Sequence, residues 1–383
     1  MLRFLTAGES HGPFLTVIID GVPANLPIKA ESINAELKRR QTGYGRGGRM
    51  SIENDRVLIT GGVRAGRTIG APLAFVIENK DWPNWSETMK PEPDNNKLPG
   101  ITRPRPGHAD LAGMQKYGFT DIRNVLERAS ARETAARVVV GAVAKRLLAE
   151  INVTVESCVV AVGYVSIAKS IAKKGDGGRA DKSDVRILDN RAARGIRKAI
   201  DNAAETGDTL GGVFEVVVFG VPVGLGSYAQ WDRRLDSALA AAVMSIPAVK
   251  GVEIGEGFEI ARLPGSKAHD EIYYSRNHGY YRKTNRAGGL EGGITNGEPV
   301  RIKAAMKPIP TLGKPLRTVN AATKKAAKAT KERADICAVP AASIVAEAMV
   351  AITMAGAVLE KFGGDSLAEL KTNLNSYLKR AGL

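Results

Sequence analysis

Between Ala341 and Leu359 the chain runs almost without a polar side chain, and no other stretch limits its possible folds as strongly. The run is about as long as a membrane span. Yet it carries Glu347 and is dominated by Ala, Val and Met, too weakly hydrophobic for lipid. It therefore reads as a buried helix, opened by Pro340 at a position where a missing N–H does no harm. With 383 residues, 44% of them hydrophobic, the chain can build a sizeable core, as one large domain or two smaller ones.

Ahead of that helix, the patterning alternates between strand and helix periods without a regular βαβ beat and without repeats. Leu2, Phe4 and Thr6 alternate into a turn at Gly8-Glu9-Ser10-His11-Gly12-Pro13, and Phe14 to Asp20 reads as a second strand. Residues 28–41 read as a helix; Val57–Thr60 and Leu73–Glu78 read as strands around a glycine-bearing loop. Residues 80–107 are proline-rich and irregular, the kind of loop that often carries function. Asn124 to Ile151 reads as one helix, Val153–Val165 as a strand, and Lys169–Asp184 as a charged, mobile segment. Gly211–Val223 and Val249–Glu253 read as strands on either side of a helix at Trp231–Ser245, and Thr323–Arg333 as a solvated Ala/Lys stretch. The expected class is α+β with mixed, mostly antiparallel sheets.

The formal charge of +15 allows three kinds of partner: nucleic acid, an anionic membrane surface or acidic small molecules. Aromatics at 5% give little for base stacking, and no basic block stands apart as a tail, so small anions are expected, with neither nucleic acid nor membrane as partner. Two cysteines, Cys158 and Cys337, make neither a disulfide framework nor a metal cluster; Met1-Leu2-Arg3 lacks a signal-peptide pattern, and a cytoplasmic location is expected.

The charge concentrates beside glycines. Arg39, Arg40, Arg46 and Arg49 flank Gly43, Gly45, Gly47 and Gly48, where a bare main chain lets guanidinium forks close on phosphate or carboxylate oxygens. Gly43-x-Gly45-x-x-Gly48 fits the dinucleotide fingerprint in letters only, because it follows a helix end and not a strand. Gly61 to Thr68 mimics a Walker A loop with Arg67 in place of lysine and no clear helix after it. Gly288 to Gly293 is either a turn or a backbone wall for a flat ligand.

His11 and His108 sit in glycine-bordered loops beside charge, where imidazole is suited to proton transfer. His269 and His278 lie in polar stretches with nothing to distinguish them. Arg128 and Arg132, four apart on the expected helix, would share a face with Ser130 nearby, a like-charge pairing that favours an anion between them; Glu133 and Arg137 read as an ordinary helical ion pair. Asp335 follows Arg333, either as a salt bridge or as a carboxylate kept ionised.

Taken together, these stretches resemble chorismate synthase almost end to end. The matches are Gly8 to Gly12, Arg46 to Met50, Arg105 to Asp110, Glu127 to Ala135, Lys250 to Gly255, Gly288 to Gly293, Lys307 to Ile309 with Thr311, and Arg333 to Pro340, with weaker coverage at 165–205 and 365–383. The resemblance implies a single domain over 1–383, a β-α-β sandwich assembled as a homotetramer. It also implies a lyase that turns 5-enolpyruvylshikimate 3-phosphate into chorismate and phosphate by anti-1,4-elimination, dependent on reduced FMN without net redox change.

By the same resemblance, Ser10, Arg40, Arg46, Arg49, Arg105, Arg132 and Arg333 bind substrate anions, and Arg40 and Arg46 are also associated with NADP. The cofactor set is Arg40, Arg46, Arg128, Ala129, Ser130, Pro247, Ala248, Gly292, Lys307, Pro308, Ile309, Pro310, Thr311 and Arg333. His11 is implied to protonate the departing phosphate, His108 to manage flavin charge, and Asp335 to keep the flavin able to accept the C6 proton. Pro310 departs from the pattern by separating Lys-Pro-Ile from Thr311, where serine is more usual. Lacking the long insertions of fungal forms, the chain is expected to be monofunctional, with NADPH acting only through an external flavin reductase. The competing classes are a flavin- or NADPH-dependent oxidoreductase and a nucleic-acid-binding protein.

Overall fold

A computed structural model describes residues 2–48, 53–92, 100–167, 170–276 and 279–382. Two antiparallel sheets enclose a helical layer. Strands β1 (Arg3–Ala7), β2 (Phe14–Asp20), β3 (Val57–Gly61) and β4 (Leu73–Glu78) form the first in the order β1-β2-β4-β3. The second contains β5 (Thr154–Val162), β6 (Val165–Ser166), β7 (Gly212–Phe219), β8 (Val249–Ile254) and β9 (Val300–Met306), ordered β8-β9-β7-β5-β6. The helices are α1 (Ala30–Gln41), α2 (Arg123–Arg128), α3 (Thr134–Ala149), α4 (Asn190–Thr206), α5 (Leu235–Met244), α6 (Val339–Phe362) and α7 (Leu367–Ala381). All but α2 contribute to one shared core, and α2 packs Val125 and Leu126 in a separate small cluster with Ile122. The expected α+β sandwich with antiparallel sheets is the fold observed.

The apolar run forms α6, which packs on α3, α1 and α5 and on β5 and β7 of the second sheet. Ala346, Val350, Ala351, Met354 and Ala355 are wholly inaccessible, as a helix apolar on all sides requires. By length and composition alone it is long enough to cross a membrane, but here it is mostly buried within the protein. Glu347 is its one buried charge. Arg39 Nη1 and Lys145 Nζ lie 2.8 and 2.7 Å from its carboxylate and Ser157 Oγ donates to it at 2.7 Å; these contacts, with Arg186, hold it ionised although burial opposes them.

Two expectations are corrected. The helix expected over 124–151 is broken: α2 ends at Arg128, Ser130 is extended, Ala131–Glu133 forms a 3-10 turn, and α3 begins at Thr134. The break is fixed from another element, because the Arg40 guanidinium donates to the Ala131 carbonyl at 2.9 Å and to Thr134 Oγ1 at 3.0 Å. The described part of Lys169–Asp184 is built into the fold: Asp176–Ala180 is helical, Ile171 is buried, and Glu156 accepts from the main-chain N–H groups of Gly175 and Gly177.

Candidate active site

One cavity of about 440 Å³ opens where the break in the helix, the loop after β1, the 105–109 loop, the turn before β8 and residues 306–311 and 332–342 converge. Among the described residues, seven arginines and lysines line it, against three carboxylates, with both His11 and His108. The lining also has an apolar part, from Pro247, Ala248, Ile309, Pro310, Ala341, Ala342 and Val345. Ala248 holds a left-handed φ of 70° there while its carbonyl accepts from Lys307 N at 2.9 Å, a strained residue built into the wall.

The loop carrying His11 turns at Gly8, whose φ is 106°; a Cβ there would meet the Phe14 carbonyl at 2.3 Å, so no other residue fits. Beyond the turn, Ser10 donates through Oγ to Ser130 Oγ at 3.0 Å. The His11 main-chain N–H donates to Glu127 Oε2 at 2.8 Å, and its ring Nδ1 lies 2.9 Å from Oε1. Trp85 stacks on the imidazole with centroids 4.0 Å apart. Glu127 is buried, yet hydrogen bonds from His11 and then Arg123 hold its carboxyl below the usual range.

His108 is held by a second carboxylate. Its Nδ1 makes a short hydrogen bond with Asp110, which also accepts from Arg105 N and Nε, both at 2.9 Å. Burial opposes the Asp110 charge, but the hydrogen bonds from His108 and Arg105 hold its carboxyl far below the carboxylate range. Arg105 Nη1 reaches across to Thr311 Oγ1 at 2.7 Å, and Lys307 donates to the Gly107 carbonyl, tying the 105–110 loop to the 306–311 segment.

Asp335 Oδ2 is 2.7 Å from Arg46 Nη1, and Arg333 meets Asp81 at 2.6 Å. Arg40 is buried, and burial lowers its guanidinium to about 10 despite Asp55. Its Nη1 lies 3.5 Å from Asp55 Oδ2 without a hydrogen bond, a buried donor facing a cationic cavity.

The cavity lining includes Ser10, His11, Arg40, Arg46, Arg105, His108, Ala129, Ser130, Arg132, Pro247, Ala248, Lys307, Ile309, Pro310, Thr311, Arg333 and Asp335 from the sequence-based set. Arg132 arrives paired, 2.6 Å from Asp55. Arg49 lies outside the described residues, as does His278. Arg128, Pro308 and Gly292 are not in the lining. Because the helix breaks after it, Arg128 shares no face with Arg132 and instead holds the carbonyls of Thr6 and Gly8, each at 3.0 Å. Gly292 turns the Leu290–Thr295 hairpin, and Gly288 and Gly289 pack against the backbone of Gly255 and Pro299. The Walker-like loop is likewise a tight hairpin, Val63–Arg64 paired with Arg67–Thr68.

Asp110 and Glu127 lie inside segments that carry the resemblance, but neither is assigned a role by the sequence, and Trp85 and Arg123 lie outside all of those segments. Asp110 is legible beside His108, whereas the pairing of Glu127 with His11, 116 positions away, is not.

The family model for chorismate synthase matches residues 2–359. A protein named chorismate synthase from Desulforamulus reducens is 56% identical over 382 residues, covering 98% of each chain. One of the same name from Geobacter metallireducens is 57% identical over 388 residues, covering 99% of this chain and 98% of that protein. A crystal structure of chorismate synthase superposes with a TM-score of 0.80 at 44% identity, covering 99% of this chain and 98% of the other.

Proposed function

Since this chain belongs to the chorismate synthase family and is a carbon–oxygen lyase, we propose that its cavity binds 5-enolpyruvylshikimate 3-phosphate beside reduced FMN and releases chorismate and phosphate. The observation that carries the reading is the pairing of two carboxylate-held imidazoles with an arginine-rich lining in one cavity. A substrate with a phosphate and two carboxylates suits such a lining, because guanidinium groups accept these anions through paired N–H donors.

The lining also suits a flavin phosphate. The apolar lining at Pro247, Ala248, Ile309 and Pro310 would take the ring system. Lys307, Arg46 and Arg333 supply a cationic rim, and the buried Arg40 Nη1 supplies a donor with no hydrogen bond in the protein. When bound, reduced FMN lends electron density to the elimination without being consumed.

The protein's own residues do the rest. His11 gives a proton to the departing phosphate, whose charge otherwise makes it a poor leaving group. His108, held by Asp110 and Arg105, places a proton donor at the opposite loop, next to charge that develops there. Asp335 anchors Arg46 and the Gly47 main chain while presenting a carboxylate to the proton-accepting side. The buried arginines position both anions, and positioning of this kind is a large part of catalysis.

The physiological form is a cytoplasmic homotetramer supplied with reduced FMN from outside, with NADPH entering only through a separate reductase. The test is an anaerobic assay with dithionite-reduced FMN, following inorganic phosphate and the new diene absorbance. Absence of both would overturn the reading. NADPH-driven FMN reduction by the pure protein would overturn the monofunctional assignment.

A further inference from the structure

The surroundings of His11 bear on how its proton is directed. Glu127 uses both oxygens on one residue: Oε2 takes the His11 main-chain N–H at 2.8 Å and Oε1 meets ring Nδ1 at 2.9 Å. Its own main chain joins in, because the Glu127 carbonyl accepts from Ser10 N at 3.1 Å. Arg123, one turn earlier on α2, donates to Oε1 at 3.3 Å and lies over the Trp85 ring, 5.0 Å from its centroid. Trp85 in turn stacks on the imidazole and donates through Nε1 to Asp81 at 3.3 Å. One edge of the ring and one of its faces are thus held by α2 and by the 81–89 segment.

From this arrangement we infer that Glu127 is the positioning residue of the proton donor, fixing the Nδ1–H tautomer of His11 so that every proton exchanged with substrate passes through Nε2. A neutral imidazole left to itself populates both tautomers, and only one places the exchangeable site toward the leaving group. As the phosphate departs with the electron pair of its C–O bond, the Nε2 proton passes to a phosphate oxygen. The imidazole is left neutral, with Nδ1–H still on Glu127. Burial makes the anchor strong, since a carboxylate with 3% exposure has little water to compete for its hydrogen bonds. Glu127 touches no reacting atom in this scheme; it acts through His11, and it rests on the function proposed above.

The test reads the tautomer directly, in substrate-free protein, by side-chain ¹⁵N spectra of the histidines. The chain has four, and His11→Asn assigns the relevant signal. Wild type is expected to show His11 as the Nδ1–H form when neutral, and Glu127→Ala to show both forms. In turnover, Glu127→Ala should lose on the order of 10²-fold or more in kcat with KM within about threefold, as expected when a histidine loses its orienting carboxylate. Glu127→Gln, which still offers an acceptor, should retain the tautomer and recover part of kcat. Should the alanine variant fail to fold, Glu127→Asp draws the carboxylate back by one methylene and should also mix the tautomers. A His11 that stays Nδ1–H in Glu127→Ala or Glu127→Asp overturns the inference. An unchanged kcat with mixed tautomers would keep Glu127 as anchor and remove His11 as the proton donor, which separates failure of this inference from failure of the proposed function.

Discussion

Asp335 and Arg46 meet inside the cavity with carboxylate and guanidinium 2.7 Å apart, while the neighbouring Gly47 N–H donates to the other Asp335 oxygen at 2.7 Å. The carboxylate therefore holds the arginine loop in place and offsets part of its charge. If Asp335 handles a proton as proposed, replacing it with alanine should cut turnover by more than about tenfold. Inhibition by inorganic phosphate should become stronger, because the site loses an anion that competes for Arg46. Weaker phosphate inhibition in Asp335→Ala would show that the pair serves another purpose.

Gly141 of α3 faces Ala348 of α6 so closely that a Cβ on Gly141 would lie 2.2 Å from the Ala348 Cβ. Helices this near need one partner without a side chain. Gly141→Ala should cost about 1–3 kcal/mol in denaturant unfolding, the range for overpacking a dense core. The double variant with Ala348→Gly should recover only part of that loss, because the added Cβ would still lie 2.4 Å from the Ala348 Cα. A Gly141→Ala variant as stable as the wild type would mean that the contact does not govern the packing.

The elements read correctly from sequence are those whose period is decided locally. Phe4 and Thr6 of the alternating run lie in β1, and Phe14–Asp20 and Leu73–Glu78 form strands with the expected bounds. Val300–Met306 is a central strand that patterning did not single out, although Val300, Ile302 and Ala304 alternate with Arg301 and Lys303. The break at 129–133 has no such signal, because Ala, Arg and Glu all favour helix and the deciding hydrogen bonds come from Arg40, 91 positions away from Ala131. The same holds in the site: His11 and His108 are marked by their glycine-bordered loops, whereas Glu127 becomes a partner only when α2 is placed against the first loop.

Buried carboxylates set the acid limit of stability. Glu347, Asp110 and Glu127 are all held below the usual carboxylate range in the folded protein by basic partners and hydrogen bonds, against the opposing effect of burial. A group with a depressed folded pKa stabilises fully above its unfolded value and loses that contribution as pH falls toward the folded value. Thermal midpoints should therefore be flat from pH 7 to about 5 and fall steeply below about 4, where free carboxyls begin to take up protons. Glu347→Leu should cost about 3–5 kcal/mol at pH 7, because Arg39, Lys145 and Arg186 are left facing an apolar side chain. Its acid decline should be shallower than that of the wild type. A variant as acid-sensitive as the wild type would place the transition in other groups.

The two imidazoles can be separated by what each carboxylate shares. Asp110 binds His108 and also both the main chain and side chain of Arg105, whereas Glu127 serves His11 twice and Arg123 once at 3.3 Å. His11→Ala and His108→Ala should each keep the fold and flavin binding yet lose turnover by more than about tenfold. Asp110→Asn should do more than either, because Arg105 then loses its anchor and Thr311 its fixed donor, so substrate affinity and turnover fall together. Measuring KM and kcat across the three variants checks this. A large kcat loss without a KM change in Asp110→Asn would make Asp110 a partner of His108 alone, and near-normal turnover in both histidine variants would remove proton transfer from this cavity.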